Sequence, residues 1–451
     1  MDGNEWFEAL GSVPFLDGHT HLVGGELAAR GLHDVLLYHM SVSDLYAAGC
    51  PSGKRLTEFP GRPDKAEAHG RIREALPYLQ LARNTHIAWG IRIILKDLYG
   101  WSAPVEANNW ETLDALIRER ADDRAWQREV ARRANIRRAC TEWARRGGGA
   151  DDDFLQYSLE WGMFARCQWG EFDTALYELE RCWGRPPGSP APIGGKRPAT
   201  ERVIKTLEDV HAAVRHYVDT IPYGKVLSKA TTFSGDIDYL TVSDEMMREA
   251  LACRQTAGLR ERDIYASYVQ EALLDGLERH GGELVYQFSL GAEPLPFETA
   301  SRLPQRALAQ LGGMIARHPK LRFQAFLAST HGHQTLCTLA RELPNFSLAG
   351  YWWHSFFPDA IRQMMTERLD MLPVNKQMGF FSDAYCLEWA YAKAALVRRQ
   401  MAEVLGLKVK QGQYTVAEAL AIARATTFDA PQALLGMKEM ETNETPGHAN
   451  R

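Results

Sequence analysis

The chain has 451 residues, of which 45% are hydrophobic, 24% charged and 10% aromatic. Such a length matches about three ordinary domains or one α/β barrel enlarged by loop insertions, and the composition excludes disorder as the main state. The 52 Lys and Arg residues against 57 Asp and Glu leave a net charge of −5. No basic face with interleaved aromatics is present, so neither nucleic acid nor a membrane surface is an expected partner. No apolar run nears the ~18 residues of a membrane span, and the opening Met1-Asp2-Gly3-Asn4-Glu5-Trp6 lacks the basic end and apolar stretch of a secretory leader. Seven cysteines, at positions 50, 140, 167, 182, 253, 337 and 386, contain no Cys-x-x-Cys pair. A cytoplasmic protein without a disulfide framework or structural zinc cluster is expected.

In chain order, β-rich runs alternate with helical ones. A first strand is expected at Val13–Asp17. From Tyr38 to about Val130 the text is helix-like, rich in Trp and Arg, and too long for one crossover; residues 38–130 read as a helical insertion in which Trp89, Trp101 and Trp110 form a small core. Arg132, Arg133, Arg137, Arg138, Arg145 and Arg146 continue at helical spacing beside Glu142, which reads as one solvated helix face. Further strands are expected at Phe154–Glu160, Lys225–Thr232, Leu284–Leu290, Phe323–Ala328, Phe346–Trp352 and Met378–Ser382. Helical periodicity covers roughly 200–218, 243–279, 299–318, 333–342, 358–371 and 384–405, the last with one apolar stripe through Leu387, Ala390, Tyr391, Ala394, Val397, Met401 and Val404. Strands and helices in this alternation imply parallel strands with right-handed crossovers, and seven or eight such units favour a closed (β/α)8 barrel spanning residues 1–451 as a single domain. The Pro/Gly loop Gly184–Lys196 ends like a phosphate-binding loop, but position 190 is Pro and position 197 is Arg where that motif needs Gly and Ser or Thr. It is set aside.

The sharpest chemical signal is Phe15-Leu16-Asp17-Gly18-His19-Thr20-His21. Residues two apart share a strand face, so both imidazoles point the same way, and at the C-terminal end of a barrel strand that direction is the active-site mouth. Two neutral imidazoles ~6–7 Å apart along the backbone suit one divalent cation. A third, anionic ligand is expected from Asp383 in Ser382-Asp383-Ala384, because barrel closure sets the last strand beside the first. The plainer reading of Asp383 is a helix N-cap.

These residues carry a resemblance. The His-x-His after the first strand, the run Leu37-Tyr38-His39, the segment Asn345–Trp353 and the closing Ser382-Asp383-Ala384 resemble the uronate (glucuronate) isomerase family, in its divergent branch, within the metal-dependent amidohydrolase superfamily of (β/α)8 barrels. The resemblance implies interconversion of aldose and ketose hexuronates, D-glucuronate with D-fructuronate and D-galacturonate with D-tagaturonate, by a small-molecule enzyme expected as a homo-oligomer. It implies one divalent ion, Zn or else Mn or Fe, held by His19, His21 and Asp383, with His39 and the Trp352–Trp353 pair lining the sugar site.

The chain departs from that pattern at Ser289, where the main branch has His, at Met40, where the family has Tyr after the catalytic His, and at Tyr385, where the family has a carboxylate-clamping Arg. A guanidinium pairs with a carboxylate bidentately and a phenol does not. Lys229, at the outlet of strand four, is a candidate for holding the substrate carboxylate as a point charge, and His354 a candidate substrate contact after strand seven. His39 is the expected proton shuttle between C2 and C1, assisted by Tyr385. The alternative is a superfamily hydrolase using a metal-bound hydroxide on a lactone, amide or ester, with two metals and roles for a carbamylated Lys229, His331 or His333.

Overall fold

The computed structural model describes residues 2–52, 56, 63–142, 153–160, 174–183, 202–220, 227–233, 240–281, 284–292 and 305–437. The Gly184–Lys196 loop, Cys167, Arg145, Arg146 and the end of the chain from 438 lie outside the described residues, and β4 is described for its backbone alone. Helix α1 (Gly3–Gly11) opens on a capping box between Asp2 and Glu5 and leads into β1 (Phe15–Asp17). The strand begins at Phe15 rather than Val13: Pro14 has no N–H for a ladder, and the first bond is Phe15 N–H to the Asn135 carbonyl at 2.8 Å.

Between β1 and β2 the chain forms α2 (Leu32–Leu36), α3 (His39–Ala47), α4 (Lys65–Leu79), α5 (His86–Ile93), a π-helical turn at Ile94–Leu98, α6 (Trp110–Arg118) and α7 (Arg124–Ala134). Strand β2 (Ile136–Glu142) follows at once. It falls where a basic helix face is expected from the arginine spacing. Asn135, in the left-handed conformation at φ 52°, ends α7, and the chain then extends, so Arg137 and Arg138 lie on a strand. Their charge masks a strand in which Ile136 and the consecutive run Ala139–Glu142 are buried while Arg137 is exposed.

The remaining elements are β3 (Leu155–Glu160), α8 (Thr174–Cys182), α9 (Leu207–Thr220), β4 (Leu227–Phe233), α10 (Asp244–Ala252), α11 (Leu259–His280), β5 (Val285–Ala292), α12 (Gln305–Arg317), β6 (Arg322–Leu327), α13 (His333–Glu342), β7 (Phe346–Ala349), α14 (Pro358–Met371), β8 (Gln377–Met378), α15 (Leu387–Lys410), α16 (Val416–Arg424) and α17 (Ala430–Leu435). All eight strands pair in parallel in sequence order. The ring closes just past β8, where Asp383 N–H donates to the His19 carbonyl at 2.9 Å and His21 N–H to the Ala384 carbonyl at 2.8 Å. This is the expected (β/α)8 barrel. Strand β7 stops at Ala349 instead of Trp352 because Gly350 turns at φ 27°, where an added Cβ would sit 2.2 Å from the Phe381 ring. No helix among the described residues is long and apolar enough to cross a membrane.

Helix α15 is the keel between the barrel and the β1–β2 helices. Its Leu387, Trp389, Ala390, Ala394, Val397, Met401 and Val404 are buried, removing apolar surface from water at roughly 25 cal/mol per Å2. Four charged side chains on it are buried as well, Glu388, Lys393, Arg398 and Lys408, and two of them bind backbone across the junction. Arg398 donates to the carbonyls of Leu10 and Ala134, each at 3.1 Å. Glu388, fully buried, accepts from Ala29 N–H at 2.8 Å, Tyr99 Oη at 2.8 Å and Trp126 Nε1 at 3.2 Å. Glu388→Ala strands these three donors, each worth about 1–3 kcal/mol when left buried and unpaired. Urea unfolding should show a loss of at least about 2 kcal/mol, and a change below about 0.5 kcal/mol, typical of a surface site, would remove Glu388 as the tie.

Candidate metal centre

The mouth of the barrel gathers the residues singled out from sequence. His19 and His21 follow β1 with their rings 4.9 Å apart. The stretch is fixed from below by Asp17, whose Oδ1 accepts the Ser382 N–H at 2.8 Å and lies 3.4 Å from the His19 N–H. Burial pushes the Asp17 carboxyl up to about 7, against those hydrogen bonds. Asp383 arrives from the segment after β8. Its backbone is left-handed, φ 53°, a conformation that is strained for a residue with a Cβ and is held only when its surroundings over-determine it. Its N–H is one of the closure bonds, and its carbonyl accepts the Tyr38 hydroxyl at 2.9 Å.

Three imidazoles meet the Asp383 carboxylate. His19 Nε2 is 3.2 Å and His21 Nε2 3.1 Å from Oδ1, while His39 Nε2 is 3.2 Å from Oδ2. Burial alone would raise the Asp383 carboxyl, but the hydrogen bonds from His19, His21 and His39 hold it well below the usual carboxylate range. It is therefore charged at neutral pH, and it is not an N-cap: α15 starts at Leu387, after Cys386. Burial lowers the His39 pKa, outweighing the Asp383 carboxylate that raises it, so this imidazole is neutral near pH 7 and its buried Nδ1 has no hydrogen-bond partner among the described residues.

The donor set fits a divalent cation. Ligand atoms of His19, His21 and Asp383 lie within 4.8 Å of one another, the one His/Cys/Asp/Glu grouping of that kind among the described residues. Two imidazoles and a carboxylate are a mixed N/O set suited to a transition-metal ion. A further feature supports the fit: His21 Nδ1 lies 2.9 Å from Glu142 Oε1 at the end of β2, where an outer carboxylate would orient a ligating histidine. From sequence Glu142 reads as part of a solvated helix face, because the arginines beside it fall at helical spacing; its place behind His21 depends on β2. His39, on the second oxygen of Asp383, stands beside this ligand set.

The other expected residues divide. Tyr385 stacks on His21 at 4.6 Å and meets His39 edge-on at 5.5 Å. Trp353, half-buried and itself left-handed at φ 47°, packs 5.0 Å from the His39 ring. Trp352 is buried in the cluster with Leu16, Phe326, Met378 and Phe381, so of the pair only Trp353 borders His39. The two do not alternate on a strand; a 3-10 turn, Trp353–Ser355, begins there. His354 is exposed, 6.2 Å from Phe357. Met40 is buried in the core, and no phenol follows His39. The Lys229 backbone pairs with Glu160 and Gln287 on β4, and its side chain lies outside the described residues. His331 is exposed on the turn after β6. His333 is held away from the mouth between Glu367 Oε2, at 2.5 Å, and Arg368 Nε, at 3.0 Å, because α13 turns its first residue toward α14.

No protein-family model matches the chain. Its sequence is similar to the uronate isomerases of Thermotoga petrophila and Thermotoga maritima, 24% identical over 115 residues, 26% of this chain and 26% of each relative; the match spans about a quarter of their length. The fold is shared along nearly the whole chain. The uronate isomerase structure from Thermotoga maritima superposes with a TM-score of 0.74 at 13% identity, covering 96% of this chain and 97% of that one. Glucuronate isomerase from Caulobacter crescentus gives 0.74 at 14%, covering 98% and 95%. A provisionally named metal-dependent hydrolase from Lactobacillus casei gives 0.56 at 14%, covering 96% and 98%.

Asp383→Asn should abolish binding of a divalent ion, since an amide neither carries the charge nor attracts three imidazoles. Glu142→Gln should weaken binding by about 10–100-fold, the usual effect of removing an outer carboxylate. Elemental analysis after dialysis against graded chelator reads both; an Asp383→Asn protein that retains wild-type metal content would remove Asp383 from the site.

Proposed function

We propose that the chain is a metal-dependent aldose–ketose isomerase of hexuronates, interconverting D-glucuronate with D-fructuronate and D-galacturonate with D-tagaturonate. The observation that carries this reading is the convergence of His19, His21 and Asp383 on one point with the His39 Nε2 3.2 Å from the second carboxylate oxygen, in a fold shared with uronate isomerases. When bound, one divalent cation, Zn or else Mn or Fe, supplies positive charge that orients sugar oxygens and stabilises an enediolate.

The chain's own groups do the rest. His39, kept neutral by burial, takes the proton from C2 on one face of the open-chain sugar and returns it to C1. Its contact with Asp383 fixes the ring while that transfer occurs. Tyr385, against both His21 and His39, is placed to pass a proton to or from the adjacent sugar oxygen. Trp353 offers an aromatic wall, His354 a polar contact at the rim, and Lys229 a point charge for the carboxylate in place of the Arg that resembling enzymes carry where this chain has Tyr385. The hydrolase alternative with two ions loses support from His333, which is engaged by Glu367 and Arg368.

Purified protein assayed on D-glucuronate, D-galacturonate and their ketose partners should interconvert each pair only with metal present, and elemental analysis should return one ion per chain. His39→Asn should lower turnover by about 10²–10⁴-fold, the contribution of a general base, with the metal content unchanged. Two ions per chain together with turnover of lactones or amides and none of uronates would replace the isomerase by the hydrolase.

A further inference from the structure

Two buried side chains beside the site converge on the main chain of Asp383 rather than on its carboxylate. Tyr38, 3% exposed, lies between α2 and α3, with its ring stacked on Trp389 at 4.5 Å and tilted against His39 at 4.1 Å. Its hydroxyl meets two groups: the Asp383 carbonyl at 2.9 Å and Lys393 Nζ at 2.6 Å. Lys393, on α15, is 1% exposed, and its ammonium lies over the rings of Phe356, at 4.5 Å, and Tyr38, at 4.9 Å.

The chemistry sets the direction of this chain of bonds. An ammonium only donates, a backbone carbonyl only accepts, and a phenol has one proton to give. The order must therefore be Lys393 Nζ–H to Tyr38 Oη, then Tyr38 O–H to the carbonyl of Asp383. Charge-assisted donation polarises the phenol and strengthens its own bond to the carbonyl. That carbonyl belongs to a left-handed residue whose other flank is held by the bond from its N–H to the His19 carbonyl. Rotation about either side of the Asp383 Cα is thereby restrained, and the carboxylate is aimed at His19 and His21. Core filling alone does not account for the arrangement, because a buried ammonium with one oxygen partner among the described residues is unfavourable where a Met or Leu would pack; burial pushes the Lys393 pKa down to about 8 despite the attraction of Asp383 and Asp17.

We infer that Lys393 and Tyr38 are positioning residues that set the strength and geometry of ion binding by fixing the main chain of Asp383. The inference rests on reading His19, His21 and Asp383 as metal ligands. Tyr38→Phe keeps the stacked ring and removes both hydrogen bonds. In the full chain stripped with chelator and titrated with Co2+, its Kd should rise about 10–100-fold, and the visible d–d bands at saturation should shift, a change that lower stability alone does not produce. The double variant Tyr38→Phe/Lys393→Met removes the unpaired ammonium that the single variant leaves behind. It should regain thermal stability without regaining Co2+ affinity, since the Asp383 carbonyl still lacks its donor. Lys393→Met alone should weaken Co2+ binding in the same direction and by less.

Wild-type affinity and spectrum in both Tyr38→Phe and the double variant would overturn the inference and leave the ligand assignment standing. Recovery of wild-type affinity in the double variant alone would also overturn it, by tracing the defect to a stranded charge. A wild-type protein that binds Co2+ no better than Asp383→Asn would overturn the ligand assignment itself.

Discussion

The mouth of this barrel is organised around one carboxylate. Asp383 takes three imidazoles on its two oxygens and is itself placed by main-chain bonds to the segment that carries two of those imidazoles. The same bonds complete the ring of strands, so barrel closure and assembly of the donor set are one event. A carboxylate so buried would ordinarily hold its proton; surrounded by three hydrogen-bonding rings it stays charged, which is the condition for attracting a cation.

Strain and support are concentrated at the same place. Among the described residues three non-glycine positions have positive φ: Asn135, Trp353 and Asp383. Asn135 is a helix C-cap, an ordinary location for that conformation. The other two stand after β7 and β8, one against His39 and one at the donor set. Such conformations cost of order 1–3 kcal/mol each and persist here because hydrogen bonds and packed rings leave no alternative. Phe326 and Phe381 press on His19 from within the barrel, Tyr385 stacks on His21, and Trp353 closes over His39.

The helices between β1 and β2 belong to the site as well as to the surface. They deliver His39 and Tyr38, and α15 locks them to the barrel through Trp389, whose indole N–H lies 3.2 Å from the carbonyls of Asp34 and Val35, and through Glu388. The helix that follows Asp383 thus supplies Glu388 to hold these helices, Lys393 to meet the Tyr38 hydroxyl, and Arg398 to join α1 to α7.

Local pattern in the sequence was enough for the alternation of strands and helices, for a barrel, and for two imidazoles on one side of the first strand, because side-chain direction in an extended chain repeats every two residues. It was also enough to suggest Asp383, through the single global rule that a closed ring sets its last strand beside its first. Beyond that, local signals misled or fell silent. Arginines at 137 and 138 imitate a helix face and concealed β2, and Glu142 with it; Trp352 and Trp353 look like strand neighbours until Gly350 turns the chain. Lys393 is unremarkable in the text, Tyr38 figures there only as the neighbour of His39, and neither His39's approach to the second oxygen nor the engagement of His333 by Glu367 is legible. Each of these depends on groups tens to hundreds of residues apart meeting at distances near 3 Å, and no local periodicity encodes such a meeting. The sequence by itself determined which chemistry was available; packing of α15 against the barrel and closure of the ring decided which side chains meet at its mouth.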